Sequence, residues 1–152
     1  MKRVIILQGV SGSGKTTYAR KLCRDFKSDA ATLIVSADHY FTDEMGRYRF
    51  NLSKIDQAHG QCFRQFIEAV QLGVVDLVIV DNTNTRVAEI APYMLSATSY
   101  GYAAEIHRLV CQPDVAAARG VHRVPATTVV RMAGRIASEK IPPVWKLVVV
   151  SP

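Results

Sequence analysis

Short apolar runs alternate along this chain with longer stretches whose apolar residues recur every three to four positions. Val4-Ile5-Ile6-Leu7 opens the series as a strand, and Tyr18, Ala19, Leu22, Cys23 and Phe26 follow at helical spacing. Thr32 to Ser36 is a second strand-like run, and a polar loop around Gly46 comes after it. From about Ser53 to Leu72, Ile55, Ala58, Cys62, Phe63, Phe66, Ile67 and Val70 share one helical face. Ser53 stands where a capping residue belongs, Asp56 puts a carboxylate in the first turn, and Gly73 ends the pattern. Val74 to Val80 is almost wholly apolar, as expected of a central parallel strand buried on both faces. A helix then runs to about Tyr100, with Pro92 either in its first turn or kinking it. Ala104 to Val110 reads as a fourth strand. Helical stretches near Asp114 to Arg119 and from Pro125 to about Ser138 follow. Pro142-Pro143 breaks the chain before a last strand, Leu147 to Val150. This alternation predicts an α/β domain on a mostly parallel sheet, and such sheets bind ligands beyond the carboxyl ends of their strands. Two polar stretches lie at those ends: Ser36 to Asp38 and Asp81 to Asn84.

Between the first strand and the first helix, Gly9 to Thr16 reads Gly-Val-Ser-Gly-Ser-Gly-Lys-Thr, a complete G-x-x-x-x-G-K-[ST] phosphate-binding loop. Its glycines let backbone N–H groups turn toward a triphosphate, and the helix that follows adds the positive end of its dipole. Lys15 reaches β and γ phosphates in such loops, and the Thr16 hydroxyl ligates Mg²⁺. Gly9, Ser11, Gly12, Ser13, Gly14, Lys15, Thr16 and Thr17 are therefore the expected nucleotide contacts, with ATP and Mg²⁺ as ligands.

With 152 residues, 49% of them hydrophobic, the chain fits a single domain (1–152) with one packed sheet. No apolar run is long enough to span a membrane. Met1-Lys2-Arg3 leads straight into the first strand without room for a signal peptide, so a cytoplasmic protein is expected. Cys23, Cys62 and Cys111 are widely spaced and read as buried, reduced thiols. The net charge of +6 is uneven. Arg119, Arg123, Arg131, Arg135, Lys140 and Lys146 stand against Glu139 alone between Val115 and Lys146, so five of the six net charges fall there. That is either a solvated face or a surface for a polyanion, whether ATP alone or ATP and nucleic acid.

The remaining candidates each carry a plainer alternative. Asp38, after the second strand, is placed to take a proton from an attacking hydroxyl or to cap a turn. His39 competes for that role. Asp81 ends the third strand, where a carboxylate holds the Mg²⁺ shell, while Asn82, Thr83 and Asn84 either join the site or cap the next helix. Arg119 and Arg123 are lid candidates for neutralising transferred charge, whereas Arg131 and Arg135 read as a solvated face. His59 reads as a partly buried structural histidine, and Trp145 as a packing residue.

Together these residues resemble the small P-loop kinases around phage-type polynucleotide 5′-hydroxyl kinase, most of all the branch found as a kinase domain in NEDD4-binding protein. The resemblance rests on the phosphate loop, Ser36-Ala37-Asp38-x-x-Phe41, Tyr48-x-Phe50-Asn51 leading to Ala58-His59, Asp81-Asn82-Thr83-Asn84, and a lid at Arg119-Gly120-Val121-His122-x-Val124-Pro125 with Arg131-Met132. It implies a three-layer α/β P-loop NTPase fold of the kinase type, with a five-stranded sheet in the order 2-3-1-4-5 and a helical lid at about 114–138. It also implies Asp38 as general base for a nucleic acid's 5′-hydroxyl, Arg119 on the ATP phosphates, and catalysis by Lys15, Asp38 and Arg119 with Thr16 and Asp81 at the metal. The phage enzyme has an arginine three residues after its aspartate, where it grips the acceptor. Here that position is Phe41, so Arg47 or Arg49 is the substitute. No membrane and no obligate protein partner is expected. Two rival readings remain open, a kinase of a sugar, sugar nucleotide or antibiotic, and a nucleotide-dependent binding module.

Overall fold

The computed structural model describes residues 1–27, 29–120 and 122–151. Val121, within the expected lid motif, lies outside the described residues. Five parallel strands form one sheet: β1 (Arg3–Gln8), β2 (Thr32–Val35), β3 (Leu77–Val80), β4 (Ala103–Leu109) and β5 (Lys146–Val150), ordered β2-β3-β1-β4-β5. The order agrees with the one the resemblance implied. Among the described residues five α-helices surround it: α1 (Lys15–Asp25), α2 (Ile55–Leu72), α3 (Val87–Ser99), α4 (Pro113–Arg119) and α5 (Ala126–Ser138).

The period-two alternation of β1 divides the core. Val4 and Ile6 turn toward α2 and α3, where they meet Phe66, Val70, Ile90, Met94 and Ile106. Ile5 and Leu7 turn to the other face, against Ala19 and the flanking Tyr18, Leu22 and Cys23 of α1. A smaller cluster of Val10, Ala116 and Val129 seats α4 and α5 against the phosphate loop. No helix among the described residues is long and apolar enough to cross a membrane.

Several local expectations change. Ser53 does not cap α2: Asn51 accepts hydrogen bonds from Ser53 N (3.0 Å) and Ser53 Oγ (2.7 Å), capping a 3-10 turn at Leu52–Lys54 that runs into the helix. β3 begins at Leu77, because Val74 is exposed and the Asp76 carboxylate is engaged with Ala31 N (3.0 Å). Pro92 is the sixth residue of α3, beyond its first turn, where its missing N–H deprives the Ala88 carbonyl of a partner. Of the three cysteines only Cys62 is buried; Cys23 and Cys111 are half-buried at element edges, and all three are free thiols.

Candidate active site

The strand order sets the site. β1 is central, with β3 beside it and β2 beyond, so the segments leaving their carboxyl ends converge. They form a cleft of about 280 Å³ whose walls include Ser11, Gly12, Gly14, Lys15, Thr16, Thr17, Asp38, Asp81, Asn82, Thr83, Arg119 and His122. Most of the residues expected from sequence are therefore brought together.

The phosphate loop needs its glycines for different reasons. Gly12 (φ 83°) and Gly14 (φ 93°) sit in the left-handed region that other residues avoid. A Cβ on Gly12 would also stand 2.1 Å from the Ala116 carbonyl oxygen of α4. Gly9 and Ser13 do not line the cleft; a Cβ on Gly9 would meet Ser13 Oγ at 2.7 Å, so the pair packs beneath the loop. The buried Ser13 hydroxyl has no partner among the described residues. Lys15 is buried, its Nζ donating to the Val10 carbonyl (2.8 Å). Burial lowers its pKa to about 8, partly countered by the charges of Asp81 and Asp38.

Thr16 Oγ1 donates to Asp81 Oδ2 at 2.7 Å. Burial pushes the Asp81 carboxyl up, and the Thr16 hydrogen bond and the Lys15 charge pull it back. A hydroxyl and one carboxylate are the hard oxygen donors Mg²⁺ takes when phosphates and water complete its shell. Two left-handed glycines, a buried ammonium with one carbonyl partner and the Thr16–Asp81 pair fit a triphosphate–Mg²⁺ ligand.

Asp38 is held across the cleft by its own turn. Ser36 Oγ accepts from Asp38 N (3.2 Å) and caps a 3-10 turn at Ala37–Phe41, and Asn82 Oδ1 accepts from Ala37 N (2.9 Å). Asn82 thus ties the Asp38 turn to the end of β3, a role that only its polarity at the end of a buried strand signalled. The polar loop around Gly46 is a small hairpin, bridged at Thr42 and Tyr48 and pinned by Asp43, which accepts from Met45 N and Arg47 N at 2.9 Å each. It carries Tyr48 to the carboxylate: Tyr48 Oη donates to Asp38 Oδ1 (3.2 Å). His122 Nε2 lies 3.6 Å from Asp38 Oδ2, and its ring stacks on Tyr48 with centroids 3.8 Å apart. Sequence reasoning assigned neither Tyr48 nor His122 a part in the site.

Of the other candidates, Thr83 and Arg119 line the cleft and the rest fall outside it. Phe41 is buried with Ala37 and Ala58 in a small core of its own, so an arginine there would lose the turn's anchor. Asn84 (φ 48°) is buried and structural, its Nδ2 donating to Leu7 O (2.7 Å), while the Thr83 carbonyl accepts from Gly9 N (3.1 Å). Neither caps α3, which starts after Arg86. Arg119 lines the cleft and donates from Nη2 to Cys111 Sγ (3.0 Å). Arg123 (φ 54°) is exposed and does not line it, and neither do His39, Arg131 or Arg135. His59 is exposed rather than partly buried, and Trp145 packs at the edge of the core beside Ile141 and Leu147.

A family model described as an AAA domain matches residues 4–136. The chain belongs to that family. The uncharacterized protein PM0531 of Pasteurella multocida (strain Pm70) is 30% identical over 117 residues, which cover 72% of this chain and 65% of that protein. NEDD4-binding protein 2 of Homo sapiens is 30% identical over 137 residues, 85% of this chain and 7% of that protein. The chain thus spans less than two thirds of either relative. A chain of the Pnkp1/Rnl/Hen1 RNA repair complex has the same fold at a TM-score of 0.69 and 16% identity, covering 90% of this chain and 44% of that one. A gluconokinase from Sinorhizobium meliloti 1021 matches at a TM-score of 0.61 and 18% identity, covering 98% and 82%. The fold is that of P-loop kinases, and its neighbours span an RNA repair assembly and a small-molecule kinase.

Proposed function

We propose that this chain is an ATP- and Mg²⁺-dependent phosphotransferase that moves the γ-phosphate to the 5′-hydroxyl of a polynucleotide. The observation that carries the reading is the position of Asp38, an anchored carboxylate facing Lys15, Thr16 and Asp81 across one cleft. Lys15 and the N–H groups of the loop bind the β and γ phosphates, and Arg119 neutralises charge from the lid side. Mg²⁺, held through Thr16 and Asp81, would supply electrophilic stabilisation of the phosphate oxygens. Asp38 accepts the proton of the acceptor hydroxyl as its oxygen bonds to the γ-phosphorus; the bond to the bridging oxygen breaks, and ADP leaves. The basic segment from Val115 to Lys146 supports a polyanionic acceptor, as does the likeness to a chain of an RNA repair complex. Residues 1–152 act as one catalytic module in this reading, with residues 114–138 as its lid.

The gluconokinase likeness favours a second reading, transfer to a small polyol. One experiment separates them. The protein is incubated with γ-labelled ATP and Mg²⁺ and offered, in parallel, a 5′-hydroxyl oligonucleotide, nucleosides, gluconate and a sugar nucleotide. Label on the oligonucleotide is the expected result, with a rate that falls steeply as salt rises. Label on gluconate or the sugar nucleotide alone overturns the polynucleotide reading, and no label on any acceptor overturns the enzyme.

A further inference from the structure

Beside Asp38 the cleft is aromatic in a way that phosphate transfer itself does not require. The Tyr48 ring carries the His122 imidazole on one face, at 3.8 Å and 28° between planes. Phe50 lies near-parallel to Tyr48 (18°, centroids 6.5 Å apart) and is half-exposed. Phe41 supports both rings from the small core. Past the rings a second hollow of about 310 Å³ is walled by Tyr40, Phe41, Thr42, Asp43, Arg49, Asn51 and Lys54. Asp43 is paired with Arg47, whereas Arg49 and Lys54 have no carboxylate partner among the described residues. A general base, flat rings and free cations therefore follow one another from the cleft outward.

His122 occupies a telling place. It lays a flat nitrogen heterocycle on Tyr48 while presenting a polar atom to Asp38 Oδ2, as a nucleoside would present its base and its 5′-hydroxyl. Its 3.6 Å approach to Asp38 is too long for a hydrogen bond, and a third of its side chain is exposed, so little holds it against displacement. We infer that the Tyr48 ring is the platform for the acceptor's terminal nucleobase, covered by His122 until the acceptor arrives. Phe50 receives the following base, and Arg49 and Lys54 the phosphates beyond it. Rings of this kind bind bases without regard to sequence, so the acceptor end is single-stranded and of any sequence. The inference rests on the polynucleotide reading above and names how that site recognises its substrate. Tyr48 then has two separable functions: its ring binds, and its hydroxyl positions Asp38. Burial and the Asp38 charge hold that phenol up, so it stays a donor throughout the working pH range.

The test is equilibrium binding, which needs no turnover. A 3′-labelled single-stranded oligonucleotide with a 5′-hydroxyl is titrated with the protein in the presence of a non-hydrolysable ATP analogue. The same strand lacking only its first base is titrated alongside. The wild type should prefer the base-bearing end by about 5- to 100-fold. Tyr48→Phe should keep that preference while slowing transfer, and Tyr48→Leu should bring it close to one. His122→Ala should tighten binding of the base-bearing end alone. Equal binding of the two strands by the wild type would overturn the inference. So would a preference that survives in Tyr48→Leu, provided its melting temperature shows it folded. If Tyr48→Leu does not fold, an unchanged preference in His122→Ala is the overturning result. A preference without transfer to any 5′-hydroxyl would preserve the platform and remove the kinase reading; transfer without a preference would do the reverse.

Discussion

Two side chains on opposite walls of the cleft, one buried and one exposed, bear on proton transfer. Lys15 is buried with one carbonyl partner and a pKa lowered to about 8, so above that pH the nucleotide-free protein holds it neutral. A triphosphate restores its charge, because opposite charge nearby favours the protonated form. Nucleotide binding should therefore take up a proton, and affinity should fall as pH rises through about 8. Calorimetric titration of an ATP analogue at pH 8.5 in buffers of different ionisation enthalpy reads this directly; a binding heat independent of buffer would exclude it. In the proposed reaction Asp38 faces the acceptor. Asp38→Asn should keep the ATP site and lose about 10²- to 10⁴-fold in transfer rate. A carboxylate that merely capped its turn would instead cost about 1 kcal/mol of stability and leave the chemical step intact. Single-turnover transfer with melting run alongside distinguishes the two. The structure already gives the capping role to Ser36 Oγ.

Among the elements, β4 carries the charged residues a central strand rarely buries. Glu105 and His107 both point to the α1 face, where Glu105 meets Arg3 of β1 and Lys146 of β5, and His107 bridges Glu105 and Tyr18 Oη. Burial alone would push the Glu105 carboxyl up, but hydrogen bonds from Lys146, His107 and Arg3 outweigh it and hold it at about 2. Its stabilising contribution is complete above the unfolded value of 4.5 and is lost as pH falls toward about 2. Glu105→Gln should cost about 2 kcal/mol at pH 7, because Arg3, His107 and Lys146 lose a charged acceptor while Arg3 and Lys146 keep part of their solvation. It should also flatten the stability curve between pH 5 and 2; urea titrations at several pH values would show a curve unchanged from wild type if Glu105 does not carry this load. Such a cluster is hard to read from sequence, where Glu105 and His107 only interrupt an apolar run. The strands and helices themselves were legible, because their periodicity reports local burial. So was the phosphate loop, whose function is written in consecutive residues. The hairpin around Gly46 and the Tyr48–His122 stack were not. The hairpin has no period to report it, and the stack joins residues far apart in the chain: Tyr48 and His122 each stood in a motif of the resemblance, but nothing in either motif pairs them. Asn82 lay between these cases: its position was informative, but its partner, Ala37 N, appears only when β2 and β3 pair.

For the molecule as a whole, the sheet order brings Asp38, Asp81 and the phosphate loop to one end, while Arg119 at the end of α4 lines the cleft and α5 packs behind α4 and Val10. How that cover is attached matters. Gly12 passes so near the Ala116 carbonyl that not even a methyl group fits between the phosphate loop and α4. Loop and helix are thus a single mechanical part, and Arg119 rides at its end, three residues beyond the point of contact. Stiffness given to the loop by a bound triphosphate should reach α4 undiminished. In hydrogen exchange, amides of α4 should gain protection on addition of an ATP analogue together with those of the loop; protection confined to residues 9–17 would contradict this. Gly12→Ala should break the joint at its bearing, prising α4 away even before nucleotide is added. Seen this way, the first half of the lid is less a door than its frame. In the proposed reaction it is registered to the nucleotide, and the side chain that must yield to an acceptor is His122, where it rests on Tyr48.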